Sequence, residues 1–216
     1  GQGAYGTVFK GRNRQTRELV AIKQIVLSSE EELEQVKQEI VILQECAHPN
    51  VVRYRGTYKS LDSLWITMEY CSGGSVDAAF NATKRPLKEN QISFILREVL
   101  RGLHYLHSQR KIHRDIKAGN VLIADDGAVR LADFGVSAQL LNTMSRRNTF
   151  VGTLYWMAPE AILEKEYDER ADVWSLGITA IEMAELSPPH IDLHQGRAIF
   201  MIPKEPPPLL QERDQW

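Results

Sequence analysis

The sequence predicts an α+β protein in which a small lobe of antiparallel strands precedes a larger, mainly helical lobe. Before residue 69, short strand-like segments separated by turn residues surround one amphipathic helix, whereas after residue 74 the long apolar patterns have helical spacing. Residues 69–74 pass into a Gly/Ser-rich stretch, which is the composition of a hinge. We therefore expect one domain over residues 1–216, with an N-terminal lobe at 1–68, a hinge at 69–74 and a C-terminal lobe at 75–216.

The composition argues against several classes of protein. The 216 residues are 43% hydrophobic and 25% charged with a net charge of −2, which is typical of a globular domain and gives no reason to expect nucleic-acid or lipid binding. Cys46 and Cys71 lack the spacing and neighbouring histidines of a zinc site, so we expect reduced thiols in a cytoplasmic protein. No apolar run approaches the roughly 18 residues of a membrane span, and we expect none.

The chain opens with a G-x-G-x-x-G-x-V motif, in which Gly1, Gly3 and Gly6 precede Val8. Glycines at this spacing let backbone N–H groups approach phosphate oxygens, because no Cβ atom intervenes. A dinucleotide-binding fold would continue into a helix, but the residues from 7 to 16 indicate a strand and a hairpin turn. The motif therefore favours a phosphate-binding strand pair over a dinucleotide-binding fold.

A second strand, at residues 19–25, is mostly apolar but contains Lys23. An ammonium group in a largely buried sheet is costly unless an anion lies beside it. A capping signal at residues 28–32 begins the next helix, and Glu39 adjoins its apolar face. That face is formed by Leu33, Val36, Ile40 and Leu43. Alone, Glu39 would be interpreted as a solvated acid, but beside the Lys23 strand an ion pair is favoured.

The remaining elements follow from hydrophobic periodicity. Two further strands, at 51–58 and 63–70, complete the small lobe. Residues 89–108 have apolar side chains at helical spacing, so their histidines, His104 and His107, are given no metal-binding or catalytic role. Residues 168–186 are apolar on nearly all sides, which indicates a buried central helix.

Several polar side chains with different chemistry occur together at residues 113–120. Asp115 can accept the proton of an attacking hydroxyl, Lys117 is a positive charge for a transferring phosphoryl group, and Asn120 offers a neutral oxygen to a hard cation. Taken alone, the segment would also fit a solvated basic loop between a helix and a strand. Residues 121–131 have the pattern of a short hairpin, so we expect the chain to turn back and to bring Asp133 towards Asn120.

These motifs occur in the chain order of the eukaryotic protein kinases, which the sequence resembles over its whole length. Residues 151–160 and 171–185 look like the sterile-20 kinases, and residues 192–194 and 202–209 favour their germinal-centre-kinase-like branch. The resemblance implies the bilobal protein kinase fold and transfer of the γ-phosphoryl group of ATP to Ser or Thr of protein substrates, upstream in a MAP-kinase or related cascade. A pseudokinase-like interaction module is the alternative.

The resemblance also implies a role for each motif position. Lys23 would hold the α- and β-phosphates of ATP and pair with Glu39, while Asp115 and Lys117 would be catalytic. Asn120 and Asp133 would hold Mg²⁺. The other ATP-binding positions would be Gly1, Gly3, Gly6, Val8, Ala21, Met68, Glu69 and Cys71.

Residues 135–157 are too polar to be ordered by core burial alone, and the resemblance implies an activating phosphate at Thr149. Arg114 and Arg130 are the expected phosphate-sensing residues, and the phosphate would come from an activating kinase or from trans-autophosphorylation. Three departures from the family pattern stand out. The sequence starts at the glycine motif and stops before the last helices of such kinases, and Leu154 stands where the branch usually has Pro, leaving the shape of the substrate-binding loop open.

Overall fold

The computed structural model of this chain describes residues 2–3, 6–27, 30–60, 63–133, 154–211 and 216. The side chains of residues 2, 3, 6, 30–32, 35, 38, 39 and 42 fall outside that description. Within it, the predicted α+β architecture is confirmed, with an antiparallel sheet and one helix followed by a mainly helical part.

The small lobe is built on a five-stranded antiparallel sheet. Its strands are β1 (Gln2–Gly3), β2 (Gly6–Arg12), β3 (Leu19–Val26), β4 (Tyr54–Ser60) and β5 (Ser63–Glu69), in the spatial order β1-β2-β3-β5-β4. Strand β4 begins later than predicted, because Val51 instead forms an isolated parallel bridge with Leu131 of the other lobe. This bridge is one of the links that connect the two lobes.

Helix α1 spans Glu30–Glu45 and follows β3. All four of the apolar side chains predicted for its inner face are buried, and they share one core with Ile25, Leu64 and Ile66 of the sheet. Burial of a Leu or Ile side chain contributes about 1.5–3 kcal/mol, so this face fixes α1 against the sheet. The helix that carries Glu39 is thereby placed beside the strand that carries Lys23.

The larger lobe contains five helices within the described residues. They are α2 (Val76–Thr83), α3 (Glu89–Ser108), α4 (Pro159–Ile162), α5 (Arg170–Glu185) and α6 (Gln195–Met201), with a small sheet of β6 (Gly74–Ser75), β7 (Val121–Ile123) and β8 (Val129–Leu131) and two 3-10 turns, Ala118–Asn120 and Leu154–Trp156. Helix α3 has the predicted bounds, and α5 is the predicted central helix. None of the helices in the described ranges is both long and apolar enough to cross a membrane.

Asn50 joins the two lobes next to the catalytic segment. Its backbone oxygen accepts the N–H of Leu131 at 2.8 Å, and its side-chain amide donates to the oxygen of Val129 at 3.1 Å and to Glu98 at 3.0 Å. Gly102 of α3 permits this approach, since a Cβ atom there would lie 3.0 Å from the Asn50 oxygen. Strand β8, which leads into Asp133, is therefore fixed against α3 and the small lobe.

Candidate active site

One face of the five-stranded sheet carries most of the predicted nucleotide-binding side chains. Lys23, at the centre of β3, lies opposite Val8 of β2, and Ala21 lies opposite Met68 of β5. Because side chains alternate between the faces of a strand, Ala21 and Lys23 point to the same side, and their cross-strand partners point with them. The structure thus brings these four predicted residues together. Gly1 lies outside the described residues, whereas the backbones of Gly3 and Gly6 pair with each other.

Lys23 forms a buried charged contact between the two lobes. Its ammonium nitrogen lies 2.6 Å from Oδ1 of Asp133, and Lys23 is only 3% exposed. A buried ammonium group requires such an anionic partner, as the sequence indicated. The expected pairing of Lys23 with Glu39 stays a prediction, because the Glu39 side chain lies outside the described residues.

Asp115, three residues before the 3-10 turn Ala118–Asn120, is held from two sides. The side-chain amide of Asn120 donates to Oδ2 of Asp115 at 2.7 Å and to its backbone oxygen at 2.7 Å, and Nζ of Lys117 lies 3.0 Å from Oδ2. Because both N–H bonds of this amide point to Asp115, Asn120 is left to present its oxygen elsewhere. The three residues predicted from the loop sequence therefore form one network.

Asp172 of α5 anchors the backbone of this loop. Its buried carboxylate accepts the N–H groups of His113 and Arg114, each at 2.8 Å, and lies 2.8 Å from Nε2 of His107. Burial alone would raise the pKa of Asp172, but the hydrogen bonds from His107 and from the two backbone N–H groups hold it below its usual value. Arg114 has a φ of 69°, a left-handed conformation that costs a residue with a Cβ about 1–2 kcal/mol, and Asp172 stabilises it there.

His113 connects Asp115 to the segment that carries Asp133. Its Nδ1 accepts the N–H of Asp115 at 3.3 Å, so Nε2 carries the proton and donates to the oxygen of Ala132 at 3.1 Å. Burial lowers the pKa of His113, although the carboxylates of Asp172 and Asp115 act in the opposite direction. A neutral ring with a fixed tautomer thus holds the two acidic residues in place.

The hinge places Glu69 and Cys71 next to the small sheet of the larger lobe. The N–H of Glu69 donates to the oxygen of Arg53 at 2.8 Å, and Cys71 accepts the N–H of Gly74 on its backbone oxygen at 3.2 Å. Burial raises the pKa of the Cys71 thiol to about 11, so the thiol stays protonated near neutral pH.

The two predicted phosphate-sensing arginines differ in their positions. Nε of Arg130 lies 3.4 Å from Oε1 of Glu69, so its side chain is committed to the hinge. The phosphate-sensing role expected for Arg130 stays a prediction. Arg114 is different, because its buried Nε has no hydrogen-bond partner among the described residues. Thr149 lies outside the described residues, as does Thr153.

Three functional neighbours of the site were missed by sequence reasoning. Asp172 and Glu182 are acids in a helix that is otherwise mainly apolar, and His107 was assigned no chemistry although it contacts Asp172. The sequence did contain a signal for the two acids, because an acid in a buried helix must have hydrogen-bond donors. The identity of those donors depends on contacts between residues about 60 positions apart, which periodicity does not reveal.

Comparison with known proteins places this geometry in a family. Residues 1–208 match the family of the protein kinase domain. The chain is 55% identical to "Serine/threonine-protein kinase 1" of Arabidopsis thaliana, 55% to "Serine/threonine-protein kinase dst1" of Dictyostelium discoideum and 51% to "Serine/threonine-protein kinase cst-1" of Caenorhabditis elegans. Each match covers 100% of this chain but 26%, 29% and 43% of the respective relative. The chain therefore spans less than half the length of these relatives, all of which are named serine/threonine-protein kinases.

Proposed function

Because this chain belongs to the protein kinase family, we propose that it catalyses transfer of the γ-phosphoryl group of ATP to Ser or Thr hydroxyls of proteins. The observation that carries the proposal is the network of Asp115, Lys117 and Asn120, connected through His113 to the segment of Asp133. Similarity to relatives named serine/threonine-protein kinases supports the choice of acceptor.

The sheet face and the hinge would bind ATP. Lys23 would exchange its contact with Asp133 for the α- and β-phosphates, since its charge is already held at the inner face of the sheet. Val8, Ala21 and Met68 would cover the adenine ring. The backbone groups of Glu69 and Cys71 would provide its hydrogen bonds.

The residues near Asp133 fit a magnesium ion. Asn120 has its amide N–H groups engaged and its oxygen available, and Asp133 has one carboxylate oxygen on Lys23 and the other left for a cation. Mg²⁺ prefers such oxygen ligands together with phosphate oxygens and water. Bound there, the ion would neutralise charge on the phosphates of ATP.

Asp115 would orient the acceptor and receive its proton. As the hydroxyl oxygen forms its bond to the γ-phosphorus, the bond to the β-phosphate oxygen breaks and ADP leaves with its electron pair. Lys117, whose Nζ lies 3.0 Å from Asp115, would stabilise the negative charge on the moving phosphoryl group. Most of the catalysis would come from positioning these groups.

Acceptor specificity gives a direct test. Matched peptides that differ only in having Ser, Thr or Tyr at one position should be phosphorylated on Ser and Thr much faster than on Tyr, in the presence of Mg²⁺ and ATP. Comparable rates on the Tyr peptide would contradict the assigned acceptor. Good ATP binding without any turnover would instead indicate an interaction module.

Regulation by phosphorylation of Thr149 is part of the proposal. A phosphothreonine adds about −1.5 to −2 charges at neutral pH, and the unsatisfied Nε of Arg114 beside Asp115 suits such an anion. The phosphate would come from an activating kinase or from trans-autophosphorylation. Thr149→Ala should then lower activity strongly, whereas full activity in the phosphatase-treated protein would exclude this switch.

The cellular setting remains part of the same proposal. A role upstream in a MAP-kinase or related cascade rests on the sterile-20 resemblance. A cytoplasmic location without nucleic-acid partners is supported by the net charge of −2 and by two free, buried cysteines. Comparison of cellular phosphopeptides with and without the intact protein would identify its substrates.

A further inference from the structure

Glu182 joins two segments of the site through a single oxygen atom. Its Oε2 accepts the backbone N–H of Ala118 at 3.0 Å and the indole Nε1–H of Trp156 at 2.9 Å. Glu182 is 6% exposed, Trp156 is 9% exposed and Ala118 is fully buried, so water does not replace either bond readily. Helix α5 is therefore a common support of the two segments.

The two segments joined by Glu182 are two different 3-10 turns. Ala118 begins the 3-10 turn that separates Lys117 from Asn120, and the N–H of Asn120 closes this turn on the oxygen of Lys117 at 2.9 Å. Trp156 is the last residue of the turn Leu154–Trp156, which follows the segment of Thr149 in the sequence. Ser175 of α5 also donates to the oxygen of Trp156 at 2.8 Å.

We propose that Glu182 is a positioning residue, whose charged carboxylate fixes the Ala118–Asn120 turn relative to the Leu154–Trp156 turn. The proposal rests on the phosphoryl-transfer function proposed above, because the turn it fixes carries Lys117 and Asn120. A charged acceptor binds two N–H donors more strongly than a neutral acid does. Protonation of Glu182 therefore loosens both turns together and lowers the rate of transfer.

The surroundings of Glu182 place this protonation near neutral pH. Burial raises its pKa to about 7, and the carboxylate of Asp77 on α2 acts in the same direction. The hydrogen bonds from Ala118 and Trp156 and the charge of Lys117 oppose the rise. With a pKa of about 7, roughly one-tenth of the molecules carry the charge at pH 6 and roughly nine-tenths at pH 8.

The decisive variant is Glu182→Gln, which keeps the size and one acceptor oxygen but has no charge at any pH. The ratio of the wild-type kcat to the Glu182→Gln kcat should rise severalfold between pH 6 and pH 8, up to about ninefold. Taking a ratio removes the titration of ATP and of other groups common to both proteins. A ratio that stays constant over this range overturns the proposal.

A matched control comes from the same helix. Glu185 lies three residues further along α5 and accepts the N–H of Gln211 at 2.7 Å, away from both turns. Glu185→Gln should follow the wild-type pH profile throughout. If it instead reproduces the profile of Glu182→Gln, the effect belongs to the charge of the helix and the proposal is wrong.

A second readout does not require catalysis. The indole N–H resonance of Trp156, assigned by its loss in Trp156→Phe, should shift with a midpoint near pH 7 in the wild-type protein and should not titrate in Glu182→Gln. A resonance that titrates equally in both proteins overturns the proposal. If the wild-type protein transfers no phosphate, the proposed function fails, while this resonance still decides the role of Glu182.

Discussion

Replacing Asp172 by Asn should loosen the catalytic loop without changing the size of the side chain. The carboxylate receives two backbone N–H groups and His107, and the residue is 0% exposed. An amide has one acceptor oxygen, so at least one of these N–H groups, from His113 or Arg114, loses its partner. A buried donor without a partner costs about 1–3 kcal/mol. Since domains have a stability of about 5–15 kcal/mol, Asp172→Asn should still fold.

Urea unfolding and steady-state kinetics together test this expectation. The free energy of unfolding should fall by about 1–3 kcal/mol, and kcat should fall because the backbone of His113 and Arg114, which has a φ of 69° at Arg114, is held by fewer hydrogen bonds. Asp168→Asn is the control, since Asp168 pairs with Arg170 at the exposed start of the same helix, and its unfolding midpoint should stay close to the wild-type value. If Asp172→Asn matched the wild type in both measurements, Asp172 would not anchor the loop.

Three further predictions concern the site. Asp115→Asn should lower kcat far more than it changes the KM for ATP, since the role proposed for Asp115 is to orient the acceptor. Steady-state kinetics showing weaker ATP binding with unchanged kcat would contradict this. Arg114→Ala should remove most of the activity gained by phosphorylation of Thr149 while circular dichroism stays native, and an undiminished gain would rule out this arginine. The third prediction concerns Glu182, whose pKa rises from 4.5 to about 7 on folding. Between pH 4.5 and pH 7, the folded state therefore binds more protons at this residue than the unfolded state does. As the pH rises from 5 to 8, the free energy of unfolding of the wild type, measured relative to that of Glu182→Gln, should therefore fall by at most about 3 kcal/mol. Urea unfolding at several pH values measures this difference, and a difference that rises with pH would contradict the prediction.

The parts of the site that sequence alone predicted are those determined by local spacing. Asp115, Lys117 and Asn120 lie within six residues, and the structure places them in contact. Lys23 was recognised because a charge in an apolar strand needs an anion, although its observed partner is Asp133. The strand and helix patterns gave the order of elements and the buried face of α1, because these depend on periodicities of two and 3.6 residues.

The remaining features depend on distant parts of the chain. Strand alternation could not show that Glu69 lies close enough to Arg130 to pair with it. Likewise, Asp172 and Glu182 were visible as acids in a buried helix, but their donors come from other elements. Such pairs are set by tertiary packing, which a single sequence does not specify.

The central claim is that the buried charge of Lys23 supports phosphoryl transfer from ATP. The most direct test measures the transfer of labelled γ-phosphate to a Ser peptide by the intact protein with Mg²⁺, comparing wild type, Lys23→Met and Lys59→Met. Lys59 is exposed on β4, so it controls for the loss of one positive charge. Lys23→Met should retain the fold and lose nearly all transfer, with Lys59→Met close to wild type. Transfer by folded Lys23→Met at most of the wild-type rate would contradict the account.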